Sequence, residues 1–259
     1  MQIRLLRHAT CLLRVGECRI LTDPMLSRAE AMDPVQNAAS TRRIPLVDLP
    51  LDDAGLKNLV GQLDAALITH LHRDHFDARA EEILPRSLPI FCQPPDADRF
   101  AQLGFRTVLP VDREDEWHGI RIVRTGGRHG TGGVGERMGA VSGFVLRAPE
   151  EPSLYLAGDT VWCTEVEEAM AALRPRVIVV NAGAAQFLTG GSITMTAEDV
   201  IRVCRAAPDA AVVAVHMEAL NHCLLSRADL GSALGEADLL NRVWIPANGE
   251  TRTFFSHEV

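Results

Sequence analysis

The sequence predicts an α/β (α+β) fold, a four-layer αββα sandwich of two mixed β-sheets with helices on both outer faces. Three observations lead there. Short β-type runs follow one another directly at the start of the chain, and apolar strand patterns then alternate with helix-type patterns. The same order, consecutive strands and then alternation, returns in the second half, which assigns each half one sheet and its covering helices. At 259 residues, with 47% hydrophobic and 23% charged, the chain has the length and balance for such a core.

The elements read in order as follows. The first β-type runs are 2–6, 11–15 and 18–22, with a hairpin-like Gly16-Glu17 step between the last two. Residues 24–50 hold four prolines and no clear period, and a loop of that length in a compact domain is expected to be functional. Helix-type patterns cover 53–62, 78–84 and 96–103, with apolar strands at 65–69 and 89–93 between them. In the second half, strands are expected at 120–125, 140–147, 153–158, 176–181 and 211–216, and helices at 162–173, 197–207 and 227–240. The last two helices open on capping boxes, Thr196-x-x-Asp199 and Ser226-x-x-Asp229. The chain closes with strand patterns at 242–246 and 251–255. No Gly/Ser linker or Pro-rich tract separates the halves, so residues 1–259 read as a single domain.

Charge and composition narrow the function classes. A net charge of −8 argues against a general nucleic-acid binder, which carries a basic surplus. Among 26 basic residues Lys57 is the one lysine, a bias that fits either anion recognition by arginine or codon usage. Six cysteines, at 11, 18, 92, 163, 204 and 223, form no C-x-x-C pair and read as reduced, mostly buried thiols. Arg4, Arg7 and Arg14 interrupt the N-terminus, so no continuous signal core is expected there. The longest apolar runs, such as 210–215, are far too short for a membrane span. A cytoplasmic protein without a membrane span is therefore the expectation, and homo-oligomer formation stays open.

The chemistry concentrates in "ALITHLHRDHFD" (66–77), where His70, His72, Asp74 and His75 follow a buried-strand pattern. Strand ends are where layered α/β folds place their ligand sites. Neutral imidazole and carboxylate are good ligands for zinc and also suit manganese or iron. Three histidines and an aspartate in H-x-H-x-D-H order point to a metal site rather than to a polar surface turn.

This motif resembles the signature of the metallo-β-lactamase superfamily. The further positions that the resemblance requires are present in order, each closing a β-type run: His129 in "IRIVRTGGRHG", Asp159 in "LYLAGDT" and His216 in "AVVAVH". The resemblance implies two divalent metal ions, zinc by generality and manganese or iron otherwise. His70, His72 and His129 would hold one, Asp74, His75 and His216 the second, and Asp159 would bridge. It implies a metallo-hydrolase in which a shared hydroxide attacks a small ester, lactone or phosphodiester, with Asp74 orienting water or returning a proton. The substrate is then a small molecule, phosphorylated or not.

The stretch "LLRHATCLLRVGECRILTDP" is similar to one branch of the superfamily. That branch includes L-ascorbate-6-phosphate lactonase and N-acyl-phosphatidylethanolamine phospholipase D. The branch places glycine where this chain has Arg7. His8 then reads as a metal-proximal or substrate-contacting group, or as a hydrogen-bonded strand-end histidine. Asp23 reads as a brace for a ligand histidine or as a turn-forming Asp-Pro. His216 directly terminates its strand and is preferred as the last ligand. His222 competes for that place and otherwise reads as a leaving-group acid, and Cys223 beside it as an occasional soft ligand. The glycine-rich run 125–137 reads as close backbone approach around His129 or as an anion nest aided by Arg128 and Arg137. Arg73 points at substrate or at solvent.

Two alternatives stand beside the hydrolase. A nuclease of the same superfamily would call for a more basic surface. A non-catalytic metal-binding or interaction protein on the same fold would tolerate loss of a ligand, yet every ligand position is filled.

Overall fold

The computed structural model describes residues 1–256. The first sheet grows from β1 (Gln2–Arg7), β2 (Thr10–Val15) and β3 (Cys18–Thr22), which pair antiparallel. It continues in parallel through β4 (Ala65–Ile68), β5 (Ile90–Cys92) and β6 (Val108–Pro110). The second sheet repeats the plan. Strands β7 (Glu114–Trp117), β8 (Ile120–Thr125), β9 (Gly143–Arg147) and β10 (Leu154–Leu156) pair antiparallel in sequence. Strands β11 (Val177–Asn181), β12 (Ala211–Val215) and β13 (Val243–Trp244) then add in parallel. A last strand, β14 (Thr251–Thr253), returns to the first sheet beside β1, so each sheet has seven strands.

Strand alternation explains the four layers. In β1, Ile3 and Leu5 point inward and meet Ile122, Phe144, Leu154 and Val177 of the second sheet in a fully buried middle layer. The opposite face of the first sheet, with Leu21, Ala66, Ile68 and Ile90, is covered by α1 (Asp53–Val60), α2 (Ala78–Ile83) and α3 (Ala97–Gln102) through Leu56, Val60, Ala80 and Phe100. The outer face of the second sheet is covered by α5 (Thr164–Leu173), α6 (Ala197–Ala206) and α7 (Arg227–Glu236). Because β4, β11 and β12 are buried on both faces, they are apolar runs rather than alternating, save for the terminal Asn181 of β11. No helix among the described residues is long and apolar enough to cross a membrane.

The expected sandwich is present, with differences of detail. β6 and β7 lie where no strand is expected, since one ends in proline and the other is the acidic, largely exposed edge "EDEW". A short helix, α4 (Gly132–Met138), occupies part of the glycine-rich run. The strand expected at 140–147 starts only at Gly143, and the helix expected at 227–240 ends at Glu236. The Thr196 capping box is complete. At Ser226 the hydroxyl caps the Asp229 amide, but the Asp229 carboxylate accepts from that same hydroxyl at 2.6 Å instead of closing the reciprocal bond.

Candidate metal centre

Loops at one end of the two sheets meet over the middle layer, and the backbone there is built to aim side chains inward. His8 follows β1 with φ 60°, Asp23 follows β3 with φ 42°, and His216 follows β12 with φ 69°. Left-handed backbone in non-glycine residues is uncommon and gathers at functional sites. Gly158, with φ 70°, delivers Asp159 from the end of β10, and a Cβ there would lie 2.7 Å from the Ser142 carbonyl oxygen.

Three groups of donor atoms converge, each with its atoms within 4.8 Å of one another: His70, His72 and His129; His8, Asp74, His75 and His216; and His70, His75 and Asp159. In the first group His70 Nε2 and His129 Nε2 lie 2.9 and 3.3 Å from His72 Nδ1. Two nitrogens sharing a tetrahedral ion at ordinary zinc–nitrogen distance stand about 3.3 Å apart. Asp159 sits between the groups. Its Oδ2 is 3.3 Å from both His129 Nε2 and His75 Nε2, and its Oδ1 is 3.2 Å from His216 Nε2. Asp74 Oδ2 faces His75 Nε2 at 3.5 Å and His216 Nε2 at 3.6 Å.

The outward-facing atoms separate ligand candidates from neighbours, because a metal-bound imidazole is normally oriented through its other nitrogen. His70 Nδ1 lies 3.1 Å from the Thr69 hydroxyl, whose proton goes to Asp23. His129 Nδ1 lies 2.8 Å from the Ile193 carbonyl oxygen and His75 Nδ1 2.9 Å from Asp23 Oδ2. His216 Nδ1 has the Cys223 sulfur at 3.7 Å, and Asp159 Oδ1 accepts from Asn181 Nδ2 at 2.6 Å. Nδ1 of His8, His75 and His222 is buried without a hydrogen bond, and of the three His75 alone has a carboxylate within ion-pair distance there, Asp23. His8 Nε2 instead meets Asp74 Oδ2 at 3.0 Å, and its ring lies 3.5 Å centroid to centroid from that of His216. His222 belongs to none of the convergent groups and stacks on Phe187 at 6.1 Å.

These residues fit divalent cations. Nε2 of His75 and of His216 is buried and hydrogen-bonds to nothing among the described residues. Burial pushes His75 and His216 down, but Asp159 and neighbouring anionic groups raise both well above the usual imidazole range. Burial pushes Asp74 and Asp159 up, and the surrounding histidines hold both well below the carboxylate range. The pocket is thus electrostatically arranged to hold positive charge among two carboxylates. Burial, helped by the neighbouring His216, pushes His8 down to about 3 and His222 to about 4, so both stay neutral near pH 7.

The sequence readings left open are narrowed by this geometry. His216, not His222, joins the convergent set. Cys223 stands behind His216 rather than in the cluster. Asp23 braces His75 and also accepts from the Thr69 amide and hydroxyl at 2.8 and 2.9 Å. Around His129, a Cβ on Gly130 would come within 2.9 Å of Ile193 and one on Gly135 within 2.6 Å of the Gly130 carbonyl oxygen, so close approach explains these glycines but not Gly132 and Gly133, and Arg128 pairs with Glu165 at 2.9 Å. Arg73 is exposed. Two side-chain partners escaped the sequence reading: Thr69 and Asn181. The signal for Asn181 was available, a lone polar residue closing the apolar strand "VIVVN".

Residues 18–217 match the family model of the beta-lactamase superfamily domain. The chain belongs to this superfamily. A Bacillus subtilis (strain 168) member, the UPF0173 protein YddR, is 37% identical over 257 residues, covering 98% of this chain and all of the relative. Two solved structures superpose over nearly the whole chain. One, described as a possible metal-dependent hydrolase from Veillonella parvula DSM 2008, is 35% identical with TM-score 0.94, covering 98% of this chain and 99% of its own. The other, isothiocyanate hydrolase from Delia radicum gut bacteria, is 34% identical with TM-score 0.93, covering 99% of this chain and 100% of its own.

Proposed function

We propose that the protein is a metal-dependent hydrolase that holds two divalent cations and adds water to a small electrophilic substrate. The observation that carries this reading is the convergence of His70, His72, His129, Asp74, His75, His216 and Asp159 on one strand-end pocket, with a partner behind nearly every ligand candidate. His72 contributes Nδ1 and the other histidines Nε2. His70, His72 and His129 would hold one cation and Asp74, His75 and His216 the other, with Asp159 lying between the two groups. The donor set contains no cysteine, which admits zinc first and manganese or iron otherwise. When bound, such a pair supplies a water acidified toward neutrality and polarises the scissile group.

The chain's own residues supply orientation and proton handling. His8 Nε2 holds Asp74 Oδ2 at 3.0 Å, fixing a carboxylate that is the least buried member of its group. Asp74 orients the attacking water and takes its proton for the leaving group. His222, neutral and beside the cluster, offers the leaving group an imidazole N–H as a hydrogen-bond donor rather than a proton, and His8 acts through Asp74.

Four substrate classes follow. Esters, lactones and phosphodiesters come from the superfamily resemblance of the metal motif, and isothiocyanates from the structural relative at 34% identity. All present a carbon or phosphorus centre open to water. Screening one representative of each, with protein stripped by chelator and reloaded with zinc, manganese or iron, tests the reading. Turnover that disappears on stripping and returns with metal is expected. No turnover of any class by metal-loaded protein favours the non-catalytic alternative.

A further inference from the structure

The segment between β3 and α1, residues 24–50, is the longest stretch without helix or sheet strand in the molecule and runs beside the loops that carry His216 and His222. We propose that it is a fixed wall of the substrate cleft, set before substrate arrives, and that Arg7 and Asn221 are the positioning residues that hold it.

Arg7 binds both ends of the segment at once. Its side chain is fully buried, Nη1 donates to the Val47 carbonyl at 2.9 Å, and Nη2 donates to the carbonyls of Met25 and Ser27, each at 2.8 Å. No carboxylate lies within ion-pair distance of it among the described residues, so loop carbonyls supply all its hydrogen bonds; Nε is left without a partner, and Asp77 and Asp48 favour the charge from further off. The start of the segment is gripped from the other side as well. Asp77 Oδ2 accepts from the Ser27 amide at 2.7 Å, and Asp77 lies two residues beyond His75. Arg7 immediately precedes His8, whose carbonyl accepts from the His216 amide at 2.9 Å. The arginine found in place of the branch's glycine therefore links the wall to the backbone of the metal centre.

Asn221 fixes the middle. Its side chain is buried, Oδ1 accepts from the Val35 amide at 2.9 Å, and Nδ2 donates to the carbonyls of Val35 and Ser40 at 3.0 and 2.6 Å. The flanking contacts close the three cleft loops on one another. The Leu46 amide donates to the Ala219 carbonyl, the Leu188 amide to Asn37, and the Gln186 amide to His222 itself. Met25, Ile44, Ala219 and Leu220 form a separate small apolar core beneath them. A segment tied at both ends and in the middle loses little freedom on binding, which is how a cleft is preorganised.

Hydrogen exchange on the metal-loaded full-length chain tests this, using N221A, N221D, R7M and R7K. In the native protein, residues 33–43 should exchange slowly for a surface segment. N221A should raise exchange there by about tenfold or more, the factor that one net hydrogen bond carries. N221D should raise it further, because a carboxylate oxygen would face two carbonyls. Strands β4 and β11 and the metal content should stay unchanged. R7M should loosen residues 24–29 and 46–49, and R7K should restore part of that protection. For whichever probe is turned over (4-nitrophenyl acetate, a γ-lactone, bis-4-nitrophenyl phosphate or phenethyl isothiocyanate), N221A should raise KM with kcat little changed. This kinetic arm rests on the hydrolase reading and the exchange arm does not. Absence of turnover counts against that reading alone. Fast exchange at 33–43 in the native protein, unchanged protection there in N221A, or a uniform rise over all strands overturns the fixed wall.

Discussion

Replacing Asp23 with asparagine isolates the contribution of a group that touches no substrate. The carboxylate is 3% exposed, accepts from the Thr69 amide and hydroxyl, and faces His75 Nδ1 at 2.9 Å. Asparagine keeps the shape and one acceptor oxygen. Its amide, however, must face either Thr69 or His75 Nδ1, and His75 loses the anion beside that nitrogen. Removing such an outer partner typically weakens metal binding about 10–100-fold, or about 1.4–2.8 kcal/mol. Since Asp23 stands behind His75, the loss should fall mainly on the equivalent held by Asp74, His75 and His216. Competition against a chromophoric chelator, read as stepwise release, measures it. Two equivalents bound with native affinity in D23N would refute the assignment of His75 as a ligand oriented by Asp23.

Two further substitutions probe the scaffold. Gly158→Ala puts a Cβ 2.7 Å from the Ser142 carbonyl oxygen at φ 70°, so it should cost about 2 kcal/mol or more and displace Asp159. Denaturant melts that match the native protein would contradict this. His222 gives a pH signature in the metal-free protein. Its folded value is held at about 4 by burial against an ordinary 6.5, so between these values the unfolded chain binds the extra proton and stability falls as pH falls. The full window corresponds to about 3 kcal/mol, and H222Q should lose that part of the slope between pH 4 and 6.5. An unchanged slope in H222Q would place His222 in water rather than in the pocket.

Much of this centre was legible in the sequence because several ligand candidates close an apolar run and the rest cluster in the H-x-H-x-D-H order. His70, Asp159 and His216 follow β4, β10 and β12 within a few residues, and periodicity finds such strands readily. The layered fold followed from the same runs. What escaped lacks a local signal. β7 is acidic and exposed on a sheet edge, so its pairing with β8 rather than its composition makes it a strand. α4 forms from glycine-rich sequence with poor helix propensity. The roles of Arg7 and Asn221 depend on carbonyls 18–40 and 181–186 residues away in sequence, which only the tertiary fold brings together.

The central claim is that the His/Asp cluster binds a pair of cations. Elemental mass spectrometry on protein purified without added metal or chelator, beside the His70→Ala/His72→Ala double variant, tests it most directly. The account predicts about two divalent ions per chain in the native protein and the loss of at least one in the variant. No metal in the native protein, even after reconstitution with zinc, manganese and iron, would contradict it.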